Sequence, residues 1–328
     1  ALSSNRRSLL LGQMNTVLPA YAGLTCVLAM GLIMAGDPPF VALCHALSVM
    51  STSGITPLNG LSEAPSGHWG EGLIFVFLIF AISRRWLTDL PSRFSLRRMW
   101  PDPELKLALI CLGLVPLLLF GRHFISAVEV DVQEDLIAAL QAYWGGLFTV
   151  GSFLSTFGLE SRDWDAAQDW SGLPNSAVIL LGLALMGGGI ATTAGGVKLL
   201  RVYALYKHGL REMRRLVHPN SVGGSGMTAR RIRREGAYIA WVFLMLFAMG
   251  IAVSMLCLSV QGMDFEGALA LSVAALTNTG PAVSLLDPDV NFSALSTGQL
   301  AVVSAIMVVG RMETLVFVAF LNPTLWRA

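Results

Sequence analysis

The sequence predicts an all-α polytopic membrane protein built from tandem helix–re-entrant pore loop–helix repeats. Three observations predict it. Apolar residues make up 54% of the chain and charged residues 13%, with a mean hydropathy of +0.64, whereas soluble domains carry about 25% charged residues. Six stretches, at 16–36, 70–90, 104–121, 175–206, 237–260 and 298–321, approach or exceed the roughly 20 residues that cross a hydrocarbon core. Three segments end in the same kind of turn: Ser51-Thr52-Ser53-Gly54-Ile55, Ser155-Thr156-Phe157-Gly158-Leu159 and Thr277-Asn278-Thr279-Gly280-Pro281.

Along the chain, each turn follows a short apolar run and precedes a long one. Pro38 to Met50 is 13 residues, too short to span and suited to a half-length helix with Pro in its first turn. Its counterparts are Asp135 to Leu154 and Phe265 to Leu276. Pro116 lies inside the third span, tolerable where neighbours re-satisfy the freed backbone. The three glycines stand 104 and 122 residues apart, so one unit is expected over 1–103, a second over 104–235 and a third over 236–328. A ring of such turns makes an ion-selective pore, and a ring needs four.

Charge orients the chain. Arg84, Arg85, Arg93, Arg97, Arg98 and Lys106 surround one connection, and Lys207, Arg211, Arg214, Arg215, Arg230, Arg231, Arg233 and Arg234 crowd another; both are assigned to the cytoplasm. The opposite loops hold Glu63, Glu129, Asp131, Glu134, Asp135, Glu160, Asp163, Asp165, Asp169, Asp287 and Asp289, against Arg122 and Arg162. An acidic outer vestibule concentrates cations, although acids are also simply tolerated outside. Cys26, Cys44, Cys111 and Cys257 stand singly and read as small buried hydrophobes, and His45 lies in an apolar run as a core residue; neither set has metal-ligand or disulfide spacing.

The turns carry the candidate chemistry. A dehydrating cation needs oxygens in place of its water shell, and extended backbone carbonyls supply them. The candidate filter is Thr52, Ser53, Gly54, Thr156, Phe157, Gly158, Asn278, Thr279 and Gly280, glycine being the residue that turns a carbonyl toward the axis and admits close approach. The plainer alternative is three turn glycines in external loops.

Met186 to Lys198 contains five glycines within ten residues, each about 1 kcal/mol worse than alanine in a helix, so the fourth span should break at mid-membrane. Gly187, Gly188, Gly189, Thr192, Thr193, Gly195, Gly196 and Lys198 are the candidate gate beneath the filter; the competing reading is a kink packed through small residues. No Ser or Thr follows Lys198 and no strand precedes it, which excludes a phosphate-binding loop. Arg311 lies inside the last apolar stretch, where a charge is costly and marks function. It is expected to face the pore as an electrostatic barrier, or to pair with Glu313 or with glycine-loop carbonyls; a snorkelling arginine at the membrane edge is the alternative.

These segments resemble the potassium-translocating subunits of the TrkH/KtrB/HKT superfamily, nearest the TrkH branch. Gly187 to Lys198 with Leu199-Leu200-Arg201 resembles that family's intramembrane gating loop, and Lys207 to Asn220 the cytoplasmic segment after it. Asn278-Thr279-Gly280-Pro281 resembles its last filter loop, and Gly310-Arg311-Met312-Glu313 with Asn322 to Arg327 its closing helix. The resemblance implies a pseudo-fourfold pore whose first repeat is missing from this chain and expected upstream or on a partner chain, with Ser3 to Arg7 as a cytoplasmic link. It also implies K+ as the permeant ion, no cofactor in this chain, a homodimer in the bacterial inner membrane with the filter outward, and a cytoplasmic nucleotide-binding RCK subunit of the TrkA type. Neither enzymatic activity nor a nucleic-acid partner is expected. Ser53, Ile55 and Leu159 depart from the family's pattern. The rival class is a secondary active transporter for another cation or small solute, built on inverted repeats; here all three turns lie on one face.

Overall fold

The computed structural model of the chain describes residues 2–82, 102–126, 136–173, 176–190, 192–217, 227–283 and 292–312. No strand occurs among them. The helices are α1 (Leu2–Met34), α2 (Pro39–Ser51), α3 (Gly67–Ile82), α4 (Pro103–Ser126), α5 (Leu136–Leu154), α6 (Trp164–Ser171), α7 (Ser176–Met186), α8 (Leu199–Val217), α9 (Met227–Ser259), α10 (Phe265–Thr277) and α11 (Thr297–Arg311).

Three helices, α2, α5 and α10, are the elements that precede the glycine turns. Pro39 starts α2 at a position where its missing N–H costs nothing. Asp264 caps α10 by accepting from Gly267 N–H, and a capping box between Ser296 and Gln299 starts α11. The flanking helices pack around them: α1 and α3 against α2, α4 against α5, α9 and α11 against α10.

Two apolar clusters fill the interior. One joins Leu28, Leu32, Ala46, Val49, Ile74 and Leu78 to Phe148, Phe157 and Leu159 from the next unit. The other joins Val150, Phe153, Leu180, Leu199, Phe243, Leu271, Ala274 and Val303. Small residues at the contacts let backbones approach: a Cβ on Gly310 would lie 2.3 Å from the Leu276 carbonyl, so α11 sits directly on α10. The outer faces stay apolar, with Leu109, Leu114, Leu117 and Leu118 of α4 and Trp241, Met249, Val253 and Leu256 of α9 exposed, as lipid-facing helices require.

The structure changes parts of the sequence reading. Helix α1 runs through Ser3 to Arg7, where a link was expected. α5 has 19 residues against 13 in α2 and α10, long enough by length and composition to cross a membrane. Lys207, Arg211 and Arg214 lie on helix α8, and 230–234 belongs to α9, so both helices absorb residues assigned to a basic loop. Cys26 and Cys257 are exposed, not buried, because each lies on an outward apolar face. The stretches at 84–98, 129–135 and 287–289, together with Glu313, fall outside the described residues.

Candidate ion pathway and gate

The three pore helices end alike. Thr52, Thr156 and Asn278 take left-handed conformations, with φ of 50°, 59° and 56°. In each case the N–H of that residue donates three residues back and the next N–H five back. The pairs are Thr52 to Val49 and Ser53 to Ser48, Thr156 to Phe153 and Phe157 to Ser152, Asn278 to Ala275 and Thr279 to Ala274, all at 2.9–3.2 Å. This is the Schellman closure, which normally uses glycine. A β-branched threonine there is strained, by about 1–3 kcal/mol, and such strain gathers at functional sites.

The residues after these caps converge. A Cβ on Gly54 would lie 2.3 Å from the Phe157 carbonyl oxygen and 2.9 Å from Pro281 Cδ, and one on Gly158 would lie 2.4 Å from Thr279 Cγ2. The three turns therefore meet, through Gly54 with Phe157 and Pro281 and through Gly158 with Thr279. Gly54 and Gly158 have φ of +65° and +83°, which meets the expectation for glycine. Gly280 departs from it: it opens a 3₁₀ turn, Gly280–Ala282, without positive φ, and a Cβ there would meet nothing within 4 Å. Pro281 sets that turn instead. Phe157 contributes backbone only, since its ring is fully buried in the core.

The fourth apolar stretch breaks as its glycines require. α7 stops at Met186, α8 starts at Leu199, and the segment between folds onto itself. Val197 N–H donates to Leu185 O at 2.9 Å and Leu199 N–H to Gly188 O at 3.0 Å. Thr192 Oγ1 donates to Gly189 O at 2.7 Å, and buried Lys198, at φ +78°, donates Nζ to Ala194 O. The glycines are needed for backbone contact: a Cβ on Gly187 would lie 2.2 Å from Gly195 O, and one on Gly195 would lie 1.8 Å from Thr277 O.

This loop touches all three pore-helix ends. Thr193 Oγ1 donates to Met50 O and lies 3.2 Å from Thr52 Oγ1. Gly195 N–H donates to Thr156 Oγ1 at 2.8 Å, and Gly195 packs on Thr277. Its other side is anchored by Gly189 N–H to Ala81 O at 3.1 Å and Ile190 N–H to Glu104 Oε1 at 2.8 Å. Arg311 reaches the same place, donating Nη1 to Thr193 O at 2.8 Å and Nη2 to Ser51 O at 3.0 Å. Of the partners expected for it, the glycine-loop carbonyls are the ones observed; Glu313 lies outside the described residues.

Residues unnoticed in the sequence complete the site. Glu104 and Glu71, buried near the ends of α4 and α3, were not singled out, because a carboxylate at a span end looks like an ordinary boundary charge. His45 is buried as expected, yet its Nε2 lies 2.9 Å from Thr56 Oγ1, holding the limb that leaves the first turn. Beyond the turns, His68 and Asp163 pair at 2.7 Å. Burial, with a smaller contribution from Asp165, pushes Glu160 up to about 7. No group of three His, Cys, Asp or Glu suited to a metal occurs among the described residues.

Residues 73–324 match the family model described as TrkH, a cation transport protein. The chain belongs to the TrkH family. It is 30% identical over 316 residues to the Trk system potassium uptake protein TrkH of Salmonella typhimurium and 29% identical over 320 residues to that of Escherichia coli K12, covering 94% of this chain and 61% of each relative. It also superposes on the crystal structure of the potassium transporter TrkH from Vibrio parahaemolyticus with a TM-score of 0.79 and 25% identity, over 96% of this chain and 65% of that one. This TrkH-family chain thus spans about three fifths of the length of the curated relatives. The superposition covers nearly the whole chain, so the polytopic helical membrane fold is shared.

Proposed function

We propose that the three turns form three sides of a potassium pathway, and that residues 187–198 with Arg311 form its gate. The observation that carries this is the threefold recurrence of one left-handed helix end, strained at Thr52 and Thr156, where three turns meet, with the glycine loop bonded or packed against every copy. Non-helical backbone at membrane depth is tolerable when it is buried in protein or lines a water-filled cavity, and backbone carbonyls that converge there offer the oxygen shell of a dehydrated cation. The kink reading is weaker, because a kink needs no bonds to Thr52, Thr156 or Arg311. The names of the relatives support K+ as the ion and transport, not catalysis, as the activity.

In this reading, 1–103, 104–235 and 236–328 are three pore units of one pseudo-fourfold ring in a bacterial inner membrane, filter outward. The family further supports a homodimer and a cytoplasmic nucleotide-binding RCK subunit, for which α8 with Lys207, Arg211 and Arg214 supplies a basic approach. Rubidium uptake into vesicles carrying the full-length protein, with sodium as competitor, tests the proposal. Selective uptake is expected; no monovalent cation flux under any activating condition would overturn it.

A further inference from the structure

We infer that Glu71 is a positioning residue for ion selection: one buried carboxylate that clamps both arms of the second glycine turn. The inference rests on the potassium-pathway reading above. Glu71 sits on α3 with 2% of its surface exposed. Its Oε2 accepts from Trp144 Nε1 at 3.0 Å and from Ser161 Oγ at 3.0 Å, and its Oε1 accepts from Arg162 N–H at 2.6 Å.

The donors come from two directions. Trp144 is on α5, the helix that enters the turn, while Ser161 and Arg162 are on the limb that leaves it three and four residues after Gly158. A single group on a neighbouring helix thereby ties entry to exit. The limb is held on its other side as well, since Ser152 Oγ donates to Leu159 O at 2.6 Å and Ser161 N–H to Thr149 Oγ1 at 3.2 Å. Phe75, one turn along α3 from Glu71, sits 5.8 Å from the Trp144 ring, fixing the indole that donates.

A carboxylate withdrawn from water within a membrane protein is costly unless its lone pairs are met. Here three donors meet them, and charge-assisted bonds of this kind fix geometry more tightly than neutral ones. What they fix is the segment from Phe157 to Ser161. The Phe157 carbonyl packs against Gly54 where the turns meet, so on the pathway reading its placement sets how the two turns present their oxygens to a permeating ion. A tether lost at Arg162 lets that carbonyl drift, and discrimination between ions of different radius depends on such carbonyl placement.

The test is K+ against Na+ uptake by the full-length protein in vesicles. Glu71→Gln keeps the shape but turns an amide N–H toward at least one of the three donors; the K+/Na+ uptake ratio should fall about tenfold, with Na+ uptake retained. Trp144→Phe and Ser161→Ala each remove one donor and leave the carboxylate; each should lower the ratio about two- to threefold. These two carry the test if Glu71→Gln fails to accumulate. A merely structural role lowers uptake of both ions alike, so an unchanged ratio in the variants that fold overturns the inference. Wild-type protein without selective uptake overturns the pathway reading itself, a result that the variants cannot mimic.

Discussion

Arg311→Ala should open the pathway in the absence of any activator. The side chain joins two separate elements through two hydrogen bonds, 2.8 Å to the gate-loop carbonyl of Thr193 and 3.0 Å to Ser51 O at the end of α2. Hydrogen bonds from a charged donor contribute about 1.5–3 kcal/mol each when shielded and nearer 1 when water competes. Arg311 is exposed, so the lower figure applies and the pair holds the loop by about 2 kcal/mol. That is about thirtyfold in the ratio of seated to unseated loop. Basal rubidium uptake should rise by a comparable factor, and removing a positive charge from the pathway acts in the same direction.

Two further substitutions separate the clasp from the charge. Arg311→Lys keeps the charge but, lacking the planar fork, reaches one carbonyl and not two; basal uptake should rise about fivefold, half the bonding energy of the pair. Arg311→Gln loses the charge and keeps one amide donor group. If repulsion alone closed the pathway, lysine would match wild type and glutamine would match alanine. Wild-type basal uptake in Arg311→Ala refutes both roles.

Gly195→Ala places a Cβ 1.8 Å from Thr277 O, so the loop cannot seat on α10 and basal uptake should rise while the K+/Na+ ratio holds. Gly54→Ala and Gly280→Ala should diverge. The first puts a Cβ 2.3 Å from the Phe157 carbonyl at φ +65° and should abolish selective uptake, with at least about 1–2 kcal/mol of strain; the second enters open space without positive φ and should change thermal stability by less than about 1 kcal/mol. Glu160, pushed up to about 7 from 4.5, keeps its proton in the folded state through that window. Stability should therefore fall as pH rises from 4.5 to about 7 and level off above, a slope that Glu160→Gln removes in thermal melts. Uptake at limiting K+ should rise as pH passes through about 7, where folded Glu160 ionises and the mouth gains a negative charge.

What the sequence made legible is what local pattern dictates. Pro38-Pro39 before an apolar run marks α2 to within a residue, and the glycines of 187–196 mark the break because no straight helix holds them cheaply. The bounds of α5 were legible as well, 135–154 against Leu136–Leu154, but no local pattern tells a re-entrant helix of 19 residues from one long enough to cross a membrane. The strained caps were not legible: Thr52 and Thr156 look like ordinary polar residues beside a glycine, and threonine in a left-handed cap contradicts propensity. The clamps were hidden for another reason. Glu104 meets Ile190 across 86 residues and Glu71 meets Arg162 across 91, and no periodicity links such positions.

The distribution of those long-range bonds constrains how the proposed gate would open. Gly195 bonds to the Thr156 side chain, Thr193 to the Met50 carbonyl, and Arg311 to Thr193 and Ser51 together. Each of these contacts ends on a residue within two positions of a left-handed cap, and the cap residues Thr52 and Thr156 are strained. Strain persists where surrounding bonds over-determine it. Movement of the loop breaks those bonds, so it weakens the hold on the caps at the moment the pathway clears. The Schellman bonds inside each pore helix and the clamp at Glu71 do not involve the loop. They are the contacts able to keep the turns in place while the loop is away, so in the proposed pathway closure and selection rest on different bonds at adjoining residues.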